Sequence, residues 1–284
     1  MRAALAVLLC ALSSVQAGCY VTYDPVEDLS FREFPDSASA VIAILEEAGH
    51  ARVYAVGEYH PRPVPNAPKS PMTRFTTEIM ELMLPRARHL VIETWIDDGC
   101  AATSAVSREV AATTGRSPSA TKQLEALVMK SAKLRLQTHA LPMTCIEHGA
   151  LLDAMGRVDF LRLLELVTEK LGRTARSLVE SDRAVIVYGG ALHNDLYPAW
   201  PLESLSYAHQ LSADLGGGVI EVDLVVPEVV APMPMVRREG WFPLLGRTAP
   251  DRVLLWERGP DSYVIILPAK DLEARKVALP IAAL

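Results

Sequence analysis

Two histidines each lie three residues after a glycine. Both Gly-x-x-His motifs come directly after an apolar stretch whose residue types are those of a β-strand. The first is Gly57-Glu58-Tyr59-His60, and the second is Gly190-Ala191-Leu192-His193. A third apolar run, His89-Leu90-Val91-Ile92-Glu93, ends in a carboxylate. The carboxyl ends of the strands in an open α/β sheet face one crevice, where ligands bind. We therefore expect His60, Glu93 and His193 to meet there, with the glycines allowing a sharp turn at each strand end.

Imidazole and carboxylate groups at one sheet edge support two kinds of chemistry. His60, Glu93 and His193 form a ligand set that suits Zn, Mn, Fe or Ni, and a metal with an open position would activate water. Without a metal, the same groups would serve as a general base and an orienting acid. Glu58 is a candidate second ligand or base in either case.

Further polar residues are expected near the same edge. Arg62 and Arg74 follow the first strand and are candidates to clamp an anionic group or a developing oxyanion. Glu147 and His148 follow the third predicted strand, and Asp195 follows the fourth. These residues would add charge or ligands to the crevice.

Strands and helices alternate along the chain. Apolar runs predict strands over residues 52–57, 89–94, 141–146, 184–189 and 219–226. Helices are expected over 38–48, 72–84, 121–137, 151–182 (broken near Gly172) and 202–214, the first capped by Asp36-Ser37. The polar stretch 97–120 is compatible with a loop or a weak helix, and the Pro-rich stretch 61–71 with a rigid rim.

This alternation predicts βαβ units and a parallel sheet. The end of the chain differs, because residues 252–257 and 262–267 predict two antiparallel strands joined by a turn. We therefore expect an α/β fold with a central, mainly parallel sheet flanked by helices and a C-terminal antiparallel hairpin at the edge. One domain over residues 37–284 accounts for this pattern.

The N-terminus has the features of a secretory signal. A basic residue precedes an apolar run, Ala3 to Leu12, which is too short to span a membrane. Cleavage after Ala17 and lipoprotein cleavage before Cys19 both fit, and we favour lipidation of Cys19. Residues 1–18 are then a signal peptide and residues 19–36 a tether. Either cleavage places the body in the cell envelope, lipid-anchored, periplasmic or secreted.

Composition and cysteine content exclude several classes of protein. The net charge is −6, and the chain has no Lys/Arg cluster, so nucleic acid is not an expected partner. The sequence contains no G-x-S-x-G, H-E-x-x-H or P-loop motif. Cys100 and Cys145 remain once the signal and Cys19 are set aside. They predict either one disulfide in an oxidising compartment or two separate buried thiols.

Gly57-x-x-His60, Glu93 and Gly190-x-x-His193 together resemble a superfamily that joins the Tiki/TraB proteases, the erythromycin esterases and the ChaN-like haem-uptake proteins. The Gly-Glu-x-His form of the first motif is most similar to the ChaN and esterase branches. The resemblance covers roughly residues 50–225. It implies an α/β fold with His60, Glu93 and His193 as the active-site set, and with Glu58 included in two branches. The arginine of the family has no clear counterpart here.

The branches of this superfamily differ in function, so the resemblance leaves three alternatives. The first is a hydrolase of the cell envelope that acts on a small-molecule or peptide substrate, with a divalent metal as candidate cofactor. The second is a ChaN-like lipoprotein that binds haem through Tyr59, Tyr197 or a histidine. The third is a non-catalytic envelope protein on an inherited fold.

Overall fold

The structure is a computed structural model that describes residues 29–49, 51–60, 69–96, 99–114, 118–179 and 184–268. The predicted signal peptide, Cys19, most of the predicted tether and Arg62 lie outside these residues.

Eight strands form one sheet in the described part of the chain. They are β1 (Phe31–Phe34), β2 (Val53–Glu58), β3 (Ala87–Trp95), β4 (Gln137–Leu141), β5 (Ala184–Gly190), β6 (Val219–Val225), β7 (Val253–Gly259) and β8 (Ser262–Ile266). Their order across the sheet is β1-β7-β8-β6-β2-β5-β3-β4. The six strands from β8 to β4 are parallel, whereas β7 pairs antiparallel with β8 and β1. The predicted α/β fold, with its mainly parallel sheet and C-terminal hairpin, is confirmed.

The described helices connect the strands and cover the sheet. They are α1 (Ser37–Glu47), α2 (Pro71–Arg74), α3 (Met80–Met83), α4 (Ala101–Thr114), α5 (Pro118–Lys133), α6 (Cys145–Gly149), α7 (Phe160–Val179), α8 (Ala191–Asn194), α9 (Tyr207–Leu215) and α10 (Pro227–Val230). A π-helical turn, Phe75–Ile79, joins α2 to α3, and 3-10 turns cover Glu203–Leu205, Pro234–Arg238 and Phe242–Arg247. Of the helices described, none has the length and apolar character that a membrane crossing requires.

Alternating residues of the central strands bury two separate cores. In β2, Tyr54 and Val56 belong to the core that contains α1, whereas Val53 and Ala55 belong to the core that contains α7 and α9. This alternation follows from the period of two in an extended strand. Because the alternation continues to the strand end, Gly57 lies on the α7 side and Glu58 on the α1 side.

Several local predictions differ from the structure. The strand expected over 141–146 is wrong, because β4 ends at Leu141 and α6 begins at Cys145. Thr144 caps α6, accepting from the backbone N–H of Glu147 while the Glu147 carboxylate bonds back to Thr144. This reciprocal capping favours a helix over an extended strand. In addition, α5 begins within the polar stretch 97–120, and α4 covers much of it.

The helix expected to break near Gly172 runs unbroken as α7. A Cβ atom at Gly172 would lie 3.2 Å from the Cβ of Tyr207, so the glycine makes room for the packing of α9. The sheet also begins earlier than the predicted domain start at residue 37. Phe31–Phe34, within the predicted tether, form β1 and pair with β7.

Cys100 and Cys145 form a disulfide, which decides between the two alternatives for these thiols. Their Cα atoms are 5.9 Å apart, within the usual range for a disulfide. The bond ties the segment that leads into α4 to the first residue of α6.

Candidate active site

Glu58 and His60 form a hydrogen-bonded pair at the carboxyl end of β2. His60 Nδ1 donates to Glu58 Oε1 across 2.9 Å. The other carboxylate oxygen of Glu58 accepts a hydrogen bond from the hydroxyl of Tyr188, on the neighbouring strand β5. Glu58 is 5% exposed, so its orientation is fixed from both sides. The pair holds the imidazole with Nε2 directed away from Glu58.

Glu93 reaches the same imidazole from β3. Its Oε1 lies 3.8 Å from His60 Nε2, and its Oε2 accepts the backbone N–H of Gly190. Gly190 ends β5 and precedes α8, so this N–H is one of those that a helix start leaves without a partner. His60 therefore lies between two carboxylates that come from different strands.

His193 joins the group from α8. A Cβ atom built on Gly190 would lie 3.3 Å from His60 Nε2, 3.4 Å from Glu93 Oε2 and 3.8 Å from His193 Cδ2. The three residues predicted from the sequence therefore surround one point at the sheet edge. A side chain at Gly190 would fill the space between them.

Backbone and hydroxyl groups fix the ring of His193, which is 2% exposed. Its Nδ1 lies 3.1 Å from the carbonyl oxygen of Leu205 and 2.8 Å from Thr168 Oγ1. A carbonyl oxygen only accepts, so Nδ1 carries the proton that binds Leu205. The orientation of the His193 ring is therefore set through Nδ1.

The two carboxylates shift the ionisation of His60 strongly. Burial opposes a charge on this ring, but the hydrogen bond to Glu58 and the interaction with Glu93 outweigh it, raising the pKa of His60 to about 9. Burial likewise opposes the charge of Glu93, but the interaction with His60, the proximity of His193 and the Gly190 N–H hold its pKa far below the ordinary value. At neutral pH the site is therefore an imidazolium held between carboxylates.

A cavity of about 460 Å³ opens beside this group. Glu58, His60 and Glu93 line one wall. Most of the remaining wall is apolar and comes from α2, β3, α4 and α5, through Met72, Ile92, Trp95, Val110 and Leu124. The His60 side chain is 36% exposed, whereas both carboxylates are more deeply buried. The imidazole is thus the group of this site that a substrate can reach most easily.

The glycines at the strand ends serve close approach rather than a sharp turn. Neither Gly57 nor Gly190 has a positive φ. A Cβ at Gly57 would lie 1.9 Å from Asp223 Oδ1, and a Cβ at Gly189 would lie 2.7 Å from Glu93 Oε2. The absent side chains therefore leave room for carboxylates from the neighbouring strands.

The structure does not bring Arg74 to this cavity. Its guanidinium binds Glu78 and the carbonyl oxygen of Pro268, and it is 6% exposed. The other predicted arginine, Arg62, lies outside the described residues.

Glu147 and His148 also lie away from the site, because the helix α6 carries them instead of a strand end. Glu147 accepts from Lys170, and His148 Nδ1 contacts Thr103 Oγ1 at 2.9 Å. Asp195 binds Arg258 through both carboxylate oxygens.

The two tyrosines that were candidate haem ligands form other hydrogen bonds. The hydroxyl of Tyr197 donates to the carbonyl oxygen of Pro260, and the hydroxyl of Tyr59 accepts from Trp241 Nε1.

Sequence reasoning missed the groups that orient the site. Thr168 binds His193 from the middle of α7, and Tyr188 binds Glu58 from within β5. Neither lies in a motif with His60 or Glu93. The signal for Tyr188 is present, since a polar tip at the end of a buried strand needs a partner. Thr168 has no such signal, because its role depends on how α7 packs.

The donor atoms around His60 decide whether this site could hold a metal ion. The described residues contain no group of three or more His, Cys, Asp or Glu side chains placed to hold one. His60 Nδ1 already binds Glu58, and the edge of His193 nearest the shared point is a carbon atom. This geometry gives no support to a metal on His60, Glu93 and His193.

Comparisons with known proteins leave the family open. No protein-family model and no curated protein matches the chain. Among solved structures, the chain is similar to the type III effector HopBA1, with a TM-score of 0.43 and 14% identity. The likeness covers 87% of this chain and 99% of that one. A likeness at this level carries no argument about activity, and the resemblance to the Tiki, esterase and ChaN superfamily stays a prediction.

Proposed function

We propose that this protein is a hydrolase of ester or amide bonds and that the reaction takes place at His60. The observation that carries the proposal is an imidazole between a buried carboxylate, Glu58, and a partly buried one, Glu93, at the wall of an apolar cavity. Strongly shifted ionisable groups in a cleft are typical of catalytic sites. A purely structural histidine does not need two carboxylates and an open face.

His60 and Glu93 take complementary roles in this proposal. Glu93 is ionised and accepts a proton from a water molecule held between Glu93 Oε1 and His60 Nε2. The water oxygen attacks the acyl carbon, and the imidazolium of His60 stabilises the developing oxyanion and gives its proton to the leaving group. The proton taken by Glu93 then restores the imidazolium. Glu58 keeps the His60 ring charged and oriented.

The cavity favours a substrate with an apolar acyl or alkyl part. Its wall beyond the charged group consists mainly of aliphatic and aromatic side chains, with Gln123 and Ser107 among the polar exceptions. Pockets of this kind bind apolar groups and orient them through a few polar contacts. The Arg74 guanidinium is engaged elsewhere, so a carboxylate or phosphate on the substrate would lack that partner.

A panel of acyl esters and amides tests this function. The purified chain should hydrolyse esters with apolar acyl groups, and His60→Asn should lower kcat about 10²- to 10⁴-fold. His139→Asn is a matched control, because His139 lies on β4 and contacts His89 rather than the cavity. Equal rates for the wild type and His60→Asn would reject the proposal.

Haem binding is the second candidate, and the observation in its favour is an accessible imidazole beside an apolar cavity. His60, after loss of its Nε2 proton, would be the axial ligand, since the hydroxyl of Tyr197 is engaged with Pro260. Titration with haemin separates the two functions. A Soret shift at micromolar haemin that is lost in His60→Asn, without hydrolysis of any panel substrate, would favour haem.

The proposal also places the protein in the cell envelope. The Cys100–Cys145 disulfide supports this location, because such bonds persist in oxidising compartments. Lipidation of Cys19 would hold the chain at a membrane. Mass spectrometry of the native protein and of Cys19→Ala tests the anchor, and an unmodified native N-terminus would contradict it.

A further inference from the structure

A group of buried polar side chains lies behind the active site, on the α7 side of the sheet. It consists of Asn194, Tyr207, Glu221 and Asp223, called here the buried polar cluster. These residues are 0%, 1%, 1% and 5% exposed, respectively. Five of their atoms have no hydrogen-bond partner among the described residues: Asn194 Oδ1 and Nδ2, Tyr207 Oη, Glu221 Oε1 and Asp223 Oδ1.

Hydrogen bonds link the segments that carry these four residues. Glu221 and Asp223 are two positions apart on β6 and therefore share one face. The backbone N–H of Leu196, just after α8, donates to Glu221 Oε2 at 3.0 Å. Ser206, which caps the helix that Tyr207 begins, donates to the carbonyl oxygen of His193 at 3.3 Å.

Two glycines on neighbouring strands lie between the buried polar cluster and Glu93. At this level of the sheet Gly57 pairs with Asp223 on one side and with Gly189 on the other. Asp223 leans over Gly57, and Glu93 leans over Gly189. The two carboxylates thus lie over neighbouring positions that carry no side chains. Burial, with smaller contributions from Glu221, Glu93 and Asp223, raises the pKa of Tyr207 well above its ordinary value.

The five buried atoms of the cluster that lack a hydrogen-bond partner in the described part of the chain require one inside the fold. A buried polar group without a hydrogen bond is strongly destabilising, and native interiors contain few of them. Water fits this set best, because the amide and hydroxyl can both donate and accept while the carboxylates accept. A cation fits less well, since the guanidinium of Arg258 already lies 3.7 Å from Glu221 Oε1.

The two carboxyl groups of the cluster differ from Glu93 in their protonation. Burial raises the pKa of Glu221 and, with the negative charge of Glu221, raises the pKa of Asp223 still further. The charged or titratable groups around them are Asp195, Arg258, Glu239, Tyr59, Tyr207 and Glu93. Only the cation among these favours the ionised carboxylates, so the pair retains a proton where Glu93 does not.

We propose that the buried polar cluster encloses ordered water and acts as a proton reservoir for Glu93. In turnover, the proton that Glu93 takes from the attacking water passes through the internal water to the carboxylate of Glu221. It returns by the same path to restore the imidazolium of His60. The role of the cluster in turnover rests on the proposed hydrolase function. The enclosed water and the proton retained by Glu221 and Asp223 do not depend on that function.

Infrared spectroscopy tests the stored proton without any substrate. At pH 7 the wild type should show a carboxylic-acid carbonyl band that disappears in Asp223→Asn. Asp153→Asn is the matched control, because Asp153 lies in a surface ion pair with Arg157. If Asp223→Asn does not fold, Glu221→Gln should shift the same band. Absence of the band in the wild type, or its persistence unchanged in both variants, overturns the proposal.

A crystal structure and kinetics complete the test. Ordered water within hydrogen-bond distance of Asn194 and Asp223 is expected, and a dry pocket or a bound metal ion there would overturn the reservoir. Glu221→Gln, which cannot accept the proton, should lower kcat about tenfold with KM unchanged and should alter the solvent isotope effect. An unchanged kcat and isotope effect would overturn the role in turnover. If the wild type hydrolyses no substrate, the proposed hydrolase function is rejected. The infrared and crystallographic results then still test whether the cluster holds water and a proton.

Discussion

Replacing Glu58 by Gln should lower the pKa of His60. The wild-type carboxylate accepts the Nδ1 proton at 2.9 Å, and this contact and the interaction with Glu93 keep the ring charged up to about pH 9. Glutamine has nearly the same shape and still presents an acceptor oxygen. The substitution therefore removes a charge while retaining the hydrogen bond.

The size of the change follows from the strength of that hydrogen bond. A bond to a charged partner contributes about 1.5–3 kcal/mol, and a neutral one about 0.5–1.5 kcal/mol. The difference is about 1–1.5 kcal/mol, which corresponds to about one pKa unit. The His60 side chain is 36% exposed, so solvent screening keeps the effect at the low end. We expect the pKa of His60 to fall from about 9 to about 8.

Nuclear magnetic resonance of histidine-labelled protein measures this pKa directly. The His60 signal is assigned from its loss in His60→Asn and followed between pH 5 and pH 11. Glu81→Gln is the matched control, because Glu81 forms an exposed ion pair with Lys130. A His60 pKa near 6.5 in the wild type, or one that Glu58→Gln leaves unchanged, would refute the electrostatic reasoning.

Two further predictions concern the packing and the covalent links around the site. Gly57→Ala should destabilise the fold by about 1–3 kcal/mol, because the new methyl group would meet Asp223 Oδ1. Urea unfolding measures this, and Gly246→Ala should change little, because no atom lies within 4 Å of its Cβ position. Replacing Cys100 and Cys145 together by Ser should lower the free energy of unfolding by about 2–4 kcal/mol. Equal midpoints for this variant and the wild type would contradict that prediction.

The sequence predicted the meeting of His60, Glu93 and His193 because parallel strands constrain where their ends go. Each of these residues lies near or just beyond the carboxyl end of a buried strand, and buried strands are visible as continuous apolar runs. Once the sheet is parallel, the three ends must share an edge. No knowledge of the packing was needed for this part of the site.

One error overlooked a local helix-capping signal, and another came from packing between segments that a local pattern does not contain. The apolar run 141–146 resembles a strand, but the capping of α6 by Thr144 and Glu147 stabilises a helix instead. Gly172 resembles a helix break, but its missing side chain accommodates Tyr207 from α9. In each case a partner distant in sequence or a side-chain hydrogen bond determined the structure.

The buried acids were hidden for a similar reason. Glu221 and Asp223 interrupt an apolar strand, which is the pattern of a strand exposed on one face. In the structure both faces of β6 are buried. The sequence cannot show that α8 and α9 cover these carboxylates.

The pH dependence of kcat/KM tests the central claim most directly. If His60 acts as an imidazolium held by Glu58 and Glu93, the rate should be constant near neutral pH and fall above an apparent pKa of about 9. Glu58→Gln should move this fall to lower pH. A rate that rises through pH 9, or that shows no dependence on pH there, would contradict the assignment of His60 as the acid.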